Sequence, residues 1–321
     1  MELSPKPDLV TVVVPTYNRA HYLTEAIASV FAQDYRPIEL IIVDDGSTDN
    51  TGEDVDRWIA RNNSPGFQAI YVHQENQGAP VARNLGLAGS HGEFVVMFDS
   101  DDLMGPNRIA RVVAELKSTK ADIGFSGVNY LERCSIYTPP QASVDPLLDF
   151  LLGRIHGGTQ STTFRRSILF AVGGYDEELV CHQDLDLTFR CLAVSQRVCF
   201  APSVTTYFRK PEGKRVSDLG ITEAGFLSML KSHQRRLRYF CNMHADAGYI
   251  GIEAKILLLY AISCYAKGYH ETSCQFYREA QPFLRRISWG PEERIMKHLF
   301  LVGGVSLCGT IKRWHNKLLY G

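Results

Sequence analysis

Strands and helices alternate through the first part of this chain, and that order constrains the fold more than any other feature. Apolar and β-branched runs predict strands at residues 10–14, 38–43, 69–72, 94–98 and 123–128. Helical apolar spacing predicts helices at 20–33, 80–88 and 107–117, and another that Thr48 or Asp49 caps and that ends near residue 59. The alternation predicts an α/β fold with a mostly parallel central sheet flanked by helices.

The remainder of the chain is less regular and then almost entirely helical. Residues 131–158 are interpreted as a loop with one short helix, followed by strands at 159–164 and 204–209 and a helix at 185–193. We therefore expect one domain at 1–218, with halves at about 1–128 and 129–218, and a helical C-terminal extension at 219–321. Helices at 254–267 and 271–284 with a short link suggest an antiparallel hairpin.

Charge and composition exclude some classes of function. The net charge of −1 gives no electrostatic case for nucleic acid. No apolar run is long enough to cross a bilayer, no secretory signal is evident, and the eight cysteines form no Cys-x-x-Cys pair. We expect a cytoplasmic protein. A predicted last helix at 292–319 carries basic residues that suit the inner face of a membrane, with packing against the main domain as the default alternative.

One predicted buried strand runs directly into three carboxylates. Residues 94–98 are apolar, and Asp99, Ser100, Asp101 and Asp102 follow them. Like charges at this spacing repel one another, so a fold keeps them together with a compensating cation or with full hydration. Hard oxygen ligands suit Mg²⁺ or Mn²⁺, usually bridged to a substrate phosphate. The alternative is an acidic turn that caps the next helix.

Three other predicted strands also end in polar loops, where open α/β sheets bind ligands. The loops contain Pro15, Thr16, Tyr17 and Arg19, then Asp44 and Asp45, then Gly78 and Arg83. Arg19 suits a phosphate and Tyr17 suits stacking on a base. Asp45 offers an acceptor for a base N–H group, and Gly78 allows close approach of the backbone to a ligand. Taken singly, each residue is also an ordinary turn or capping residue.

The ordered motifs resemble those of glycosyltransferase family 2. They read Val-Pro-Thr-Tyr-Asn-Arg from residue 14, Val-Asp-Asp-Gly-Ser from 43, Asn-x-Gly-x-x-x-Ala-Arg-Asn from 76 and Asp-Ser-Asp-Asp from 99. The resemblance covers about residues 9–217. It implies the Rossmann-like GT-A fold, a nucleotide-sugar donor, with UDP favoured, and inversion at the anomeric carbon.

The resemblance also implies a role for each residue of the motifs. Pro15, Thr16, Tyr17, Arg19, Asp45, Gly78, Arg83, Asp99 and Ser100 would bind the nucleotide sugar. Among them, Asp45 would contact the base, Arg83 the diphosphate and Asp99 the ribose. Asp101 would hold Mn²⁺ or Mg²⁺, and Asp102 would order the loop.

A later segment resembles the acceptor side of the same family. Asp184 would be the general base, with Gly174, Gln183 and Arg209 nearby. Gln183 stands where the family usually has Glu, and Pro211 stands where it often has a His that completes the metal shell. The alternative for Asp184 is a cap on the helix at 185–193.

The sequence thus predicts an inverting glycosyltransferase that acts on a hydroxyl of a glycan or lipid-linked acceptor, as in polysaccharide biosynthesis. The two departures, Gln183 and Pro211, motivate a catalytically inactive nucleotide-sugar-binding protein as the alternative. A sugar nucleotidyltransferase is disfavoured because no Gly-rich loop with an arginine follows the first strand. A dehydrogenase is disfavoured because that strand is not followed by Gly-x-Gly-x-x-Gly.

Overall fold

The computed structural model describes residues 4–131, 134–209, 216–243 and 247–284. These residues form two compact units divided between Arg215 and Val216. The first contains strands β1 Lys6–Thr16, β2 Ile38–Asp44, β3 Phe67–His73, β4 Gly92–Met97, β5 Leu103–Met104, β6 Ile123–Tyr130, β7 Ser135–Tyr137, β8 Thr162–Arg165 and β9 Val198–Phe208. Its helices are α1 Ala20–Phe31, α2 Thr51–Asn62, α3 Ala79–Ala88, α4 Arg108–Ser118, α5 Pro146–Leu151, α6 Arg166–Ala171 and α7 Gln183–Val194.

The strands of this unit form one sheet with a parallel and a mixed half. The order is β3-β2-β1-β4-β8-β6-β9-β5, with β7 paired to β6. Strands β1 to β4 are parallel, whereas β8 is antiparallel to both β4 and β6. The prediction of a central sheet flanked by helices is confirmed. The predicted parallel pairing is found in the first half of the sheet, among β1 to β4.

Helices pack on both faces of the parallel half. Val12, Leu40 and Phe94 have no exposed surface and belong to one core cluster with residues of α1 and α4, including Ile27 and Val112. Helix α3 packs close to the strands, because a Cβ atom at Gly86 would lie 2.3 Å from Cγ1 of Val13. The sheet thereby holds the ends of β1, β2 and β4 in fixed register.

Several elements differ from the sequence-based predictions. Strands β5 and β7 and helix α6 were not predicted, since elements of two to six residues show no clear periodicity. Strand β9 begins at Val198 rather than 204, and its pairing with β6 shifts between Ala201 and Thr205. This irregularity accommodates Pro202, which lacks the N–H group that a regular ladder needs.

The second unit is helical over the residues described. It contains a 3₁₀ helix Val216–Ile221 and helices α8 Glu223–Asn242, α9 Ala247–Ala266 and α10 His270–Leu284. The predicted hairpin is present as α9 and α10, with Gly268 at φ 87° between them. The predicted helix at 292–319 lies outside the described residues.

Helix α9 contradicts the expectation that no segment is long and apolar enough to cross a bilayer. Its window Gly248–Ala266 has a mean hydropathy of 1.4, and 44% of the window is buried inside the unit. Length and composition do not distinguish a membrane span from a core helix. The helix carries Glu253, which is fully buried and pairs with His233 of α8 at 2.5 Å.

Candidate active site

The ends of β1, β2 and β4 bring three of the predicted motifs to one edge of the sheet. Thr16 at the end of β1 is in register with Asp44 at the end of β2. The N–H group of Asp45 donates to the carbonyl of Thr16 at 2.9 Å, and that of Phe98 donates to the carbonyl of Val13 at 2.9 Å. The adjacency predicted from parallel strand ends is therefore present.

The carboxylates after β4 form a tight cluster. Ligand atoms of Asp99, Asp101 and Asp102 all lie within 4.8 Å of one another. Asp102 is fully buried, and burial, with the charges of Asp99 and Asp101, raises its pKa well above the usual value. Its Oδ1 accepts from the Arg209 N–H at 3.0 Å, whereas its buried Oδ2 has no hydrogen-bond partner among the described residues. The cluster thus has the set of oxygen donors that suits a divalent cation.

Two arginines lie against this carboxylate loop. Arg19 Nη1 is 3.5 Å from Asp101 Oδ2. Arg209 Nε donates to the Asp101 carbonyl at 2.6 Å, its guanidinium lies 5.4 Å from the centre of the Tyr22 ring, and it pairs with Glu25. The structure thus places Arg209 between α1 and the carboxylate loop.

Asp99 is held through both of its carboxylate oxygens. Oδ1 accepts from Arg83 Nη2 at 2.9 Å. Oδ2 accepts from the Thr159 hydroxyl at 2.8 Å and from Gln160 Nε2 at 3.0 Å. Sequence reasoning missed Thr159 and Gln160, which it placed in a strand, because nothing local to them indicates a partner 60 residues away. Three donors fix the orientation of this carboxylate.

Arg83 joins the carboxylate loop to helix α7. It is buried, and its Nη1 donates to Gln183 Oε1 at 2.7 Å. Gln183 Nε2 in turn donates to the Leu179 carbonyl at 2.9 Å. Burial alone would lower the pKa of Arg83, but the charges of Asp184 and Asp99 outweigh it and raise that pKa. Gln183, the residue that departs from the family pattern, is thus a specific partner of this cation.

Asp184 lies in the first turn of α7. The helix begins at Gln183 with His182 as its N-cap residue at φ 59°, so Asp184 lies inside the helix rather than at its cap. Asp184 Oδ1 accepts from the Tyr175 hydroxyl at 3.0 Å. Burial raises the pKa of Asp184, and the nearby charge of Arg83 opposes that rise. A carboxylate with a raised pKa and one oxygen not bound by Tyr175 has the properties of a general base.

Asp45, the residue predicted to contact the base, accepts hydrogen bonds from other residues of the protein. Its carboxylate accepts from the N–H groups of Gln77 and Gly78, both at 2.8 Å, and from Gln74 Nε2 at 2.7 Å. These bonds hold the loop before α3, where Gly78 has φ 95°. Pro15 and Thr16, the last two residues of β1, are buried, and Tyr17 after them is 47% exposed. Ser100 is buried beside the carboxylates.

Comparison with known proteins agrees with this geometry. Residues 11–165 match the model of glycosyl transferase family 2. Residues 11–165 are therefore a glycosyltransferase family 2 domain. The chain is similar to the glycosyltransferase GlyG of Streptococcus pneumoniae, at 39% identity over 36% of this chain and 38% of that protein. It is also similar to the uncharacterized glycosyltransferase RT0329 of Rickettsia typhi, at 36% identity over 58% of this chain and 59% of that protein. The chain thus covers less than two thirds of the length of each of these relatives.

Solved structures share the fold of this chain. S. aureus TarS 1-349 in complex with UDP-GlcNAc superposes with a TM-score of 0.68 at 22% identity, over 87% of this chain and 81% of that one. The mannosyltransferase PcManGT of Pyrobaculum calidifontis, in complex with GDP-Man and Mn²⁺, gives 0.55 at 19% identity, over 97% and 84%. The predicted GT-A fold is confirmed.

A glycine turn links the family 2 motif on α3 to the segment before α7. Asn84 Oδ1 accepts from the Tyr175 N–H at 2.8 Å, and Asn84 Nδ2 donates to the Tyr175 carbonyl at 3.0 Å. Gly173 and Gly174 both have positive φ, at 75° and 68°. A Cβ atom at Gly174 would lie 2.6 Å from Asn84 Oδ1, whereas one at Gly173 would have no neighbour within 4 Å. Gly174 therefore lies against the side chain of Asn84. Asn84 holds the backbone of Tyr175, and the Tyr175 hydroxyl bonds to Asp184.

Gly174→Ala is expected to destabilise this turn more than Gly173→Ala. Each substitution carries the strain of a positive φ, about 1–3 kcal/mol, but only the first also displaces the Asn84 side chain. Urea unfolding of both variants measures the difference, with Gly173→Ala as the matched control for backbone strain. Equal losses in the two variants would show that the contact with Asn84 is unimportant.

The remaining predicted feature of the family 2 site is Pro211, which stands where a His metal ligand was expected. It lies outside the described residues, together with Lys210 and Arg215.

Proposed function

We propose that this chain transfers a sugar from a nucleotide-diphosphate sugar, with UDP favoured, to a hydroxyl group with inversion at the anomeric carbon. One observation carries the proposal. Buried Arg83 bonds to Asp99 of the carboxylate loop and to Gln183, the neighbour of Asp184 in the chain. Arg83 thus connects the carboxylate loop, which suits a donor, with the start of α7, where Asp184 suits an acceptor.

The donor side of the proposed site is formed by the ends of β1, β2 and β4. Tyr17 is exposed enough to stack on a base, and Arg19 lies beside Asp101 near the place that a diphosphate would take. TarS binds UDP-GlcNAc and PcManGT binds GDP-Man with Mn²⁺ on the same fold. These complexes support a nucleotide-sugar donor for this chain, with the sugar left open.

A divalent cation fits the carboxylate cluster. Asp101 would hold Mn²⁺ or Mg²⁺, and Oδ2 of Asp102, which has no hydrogen-bond partner among the described residues, offers a further oxygen nearby. A bound cation of this kind supplies Lewis-acid stabilisation of the charge that develops on a departing nucleoside diphosphate.

The proposed acceptor step uses Asp184. Its Oδ2, which Tyr175 does not bind, takes the proton of the acceptor hydroxyl as the hydroxyl oxygen bonds to the anomeric carbon. The bond from this carbon to the phosphate oxygen breaks, and the nucleoside diphosphate leaves with the electron pair. Tyr175 donates to the other carboxylate oxygen and keeps the base oriented. Attack on the face opposite the leaving group inverts the configuration.

We propose a glycan or lipid-linked acceptor, bound by the second half of a catalytic domain at 1–218 with Gly174 and Gln183 on that side. The proposal extends to polysaccharide biosynthesis in the cytoplasm, with peripheral contact at the inner face of the membrane through the C-terminal helices. The support for the acceptor is the family, together with exposed apolar side chains in the segment after β6, among them Ile136 at 64% and Val144 at 105% exposure. Sedimentation with anionic liposomes tests the membrane contact.

A donor screen tests the proposed function. The chain is incubated with UDP- and GDP-sugars and an acceptor panel, and nucleoside diphosphate release is measured with Mn²⁺, Mg²⁺ or chelator. We expect release with one donor class, and its loss with the chelator. Tight metal-dependent UDP binding without turnover of any donor would favour a nucleotide-sugar-binding protein, the alternative that Gln183 motivates.

A further inference from the structure

Arg108 is a buried cation for which the proposed reaction has no direct use. It is the first residue of α4, and its side chain has no exposed surface. Its Nη2 donates to the Thr162 carbonyl at 3.1 Å and lies 3.5 Å from the Gln160 carbonyl. Within the described part of the chain, its Nε and Nη1 have no hydrogen-bond partner and no carboxylate pairs with it. Burial lowers the pKa of Arg108 to about 10, so it stays charged at neutral pH.

This position is unfavourable for a cation on two grounds. A buried charge without a counter-ion loses its hydration and gains no ion pair in return. The amino-terminal end of a helix also carries positive partial charge, which repels a cation in the first turn. Both effects oppose a charge at this position, and the contacts with two carbonyl groups act in the opposite direction.

Of the two carbonyl groups that Arg108 contacts, that of Gln160 belongs to the loop that holds Asp99, and that of Thr162 belongs to the first residue of β8, directly after this loop. Thr159 and Gln160 of this loop donate to Asp99 Oδ2 at 2.8 and 3.0 Å. The loop is also tied to α7, because the Thr188 hydroxyl donates to the Gly157 carbonyl at 2.7 Å. Gln160 therefore contacts Arg108 through its backbone and Asp99 through its side chain.

We propose that Arg108, Thr159 and Gln160 are positioning residues for glycosyl transfer. Arg108 fixes the end of the loop through the carbonyl groups of Gln160 and Thr162, and the loop fixes one oxygen of Asp99. Asp99 in turn orients Arg83, which would bind the donor diphosphate and bonds to Gln183 of α7. The inference rests on the proposed function, since it assigns a role in that same site.

Arg108→Met tests the first link of this chain of contacts. Because the variant removes a buried charge, its melting temperature should equal that of the wild type or exceed it by up to about 4 °C. Its kcat/KM for the donor should fall by about 10- to 100-fold, since the loop is no longer fixed. A parallel loss of stability and activity would mean that Arg108 is merely structural, and would overturn the proposal.

Arg166→Met is the matched control. Arg166 is also buried, but it bonds to the Ser90 carbonyl at 3.0 Å, before β4 and at the opposite end of that strand from Asp99. The control should lose thermal stability and keep its kcat/KM.

Thr159 variants test the second link. Thr159→Val removes the hydroxyl at nearly constant volume and should lower kcat/KM by about 10-fold, whereas Thr159→Ser should retain activity. Unchanged kcat/KM in Thr159→Val, with an active wild type, would overturn the inference alone. If the wild type turns over no donor, calorimetry with UDP and Mn²⁺ replaces kinetics, and Arg108→Met and Thr159→Val should each bind UDP more weakly. A wild type that neither turns over donor nor binds UDP would overturn both proposals.

Discussion

Asp184→Asn is expected to abolish glycosyl transfer while nucleotide binding persists. The amide keeps the shape of the side chain and accepts the Tyr175 hydrogen bond through its oxygen, but it cannot take a proton from an acceptor hydroxyl. General-base catalysis contributes about 10²–10⁴-fold, so transfer should fall by at least that lower figure. Product formation and calorimetry with UDP and Mn²⁺ measure the two effects.

Asp186→Asn is the matched control for this substitution. Asp186 lies two residues further along α7, is fully buried and pairs with Arg190 at 2.8 Å. Its amide variant should lose stability and retain transfer at a temperature where it is folded. An active Asp184→Asn enzyme would refute the assignment of the base.

The pH dependence of transfer gives an independent check on Asp184. The pKa of this carboxyl is raised by burial, and only the ionised form accepts a proton. Activity should therefore be present above that pKa and be lost as the pH falls through it, at a higher pH than for an ordinary carboxyl. The profile of kcat/KM against pH measures the midpoint.

Asp101→Ala is expected to have the other large effect, because it removes the carboxylate assigned to the metal. A loss of at least about 100-fold in kcat/KM corresponds to about 2.7 kcal/mol of transition-state stabilisation, which is within the range for a metal ion. The Mn²⁺ dependence of UDP binding should weaken together with turnover. Release of nucleoside diphosphate and calorimetry at several Mn²⁺ concentrations measure these effects.

Asp54→Ala is a suitable control, since Asp54 lies on α2 in a surface pair with Arg57 at 2.7 Å. Surface pairs contribute little, so this variant should match the wild type in both assays. A fully active Asp101→Ala protein with unchanged Mn²⁺ dependence would contradict the metal assignment.

The parts of the site that follow from sequence are those at strand ends. Asp99, Asp101 and Asp45 lie within three residues of the ends of apolar runs, and parallel strands carry such residues to one edge of the sheet. That rule requires only hydrophobic pattern and chain order. It predicted the adjacency of the motifs but not the partners of their side chains.

The parts that do not follow from sequence depend on distant contacts. Asp45 holds the loop at 74–78, a geometry that its own neighbours in the chain do not indicate. The sequence pattern predicts that Arg108 is an exposed charge at the start of an amphipathic helix, but its side chain is fully buried. Thr159 and Gln160 meet Asp99 because β8 runs antiparallel to β4, and the direction of a later strand is not encoded locally.

Strand β9 has a consequence for the order in which the protein matures during synthesis. It pairs with β5, the two residues directly after Asp102, and the Arg209 N–H just beyond it donates to the Asp102 carboxylate. These contacts join segments more than 100 residues apart in the chain. A nascent chain that ends before β9 thus carries the carboxylates without the backbone that holds them. The site has high contact order and is completed late, after the parallel half of the sheet that supports it.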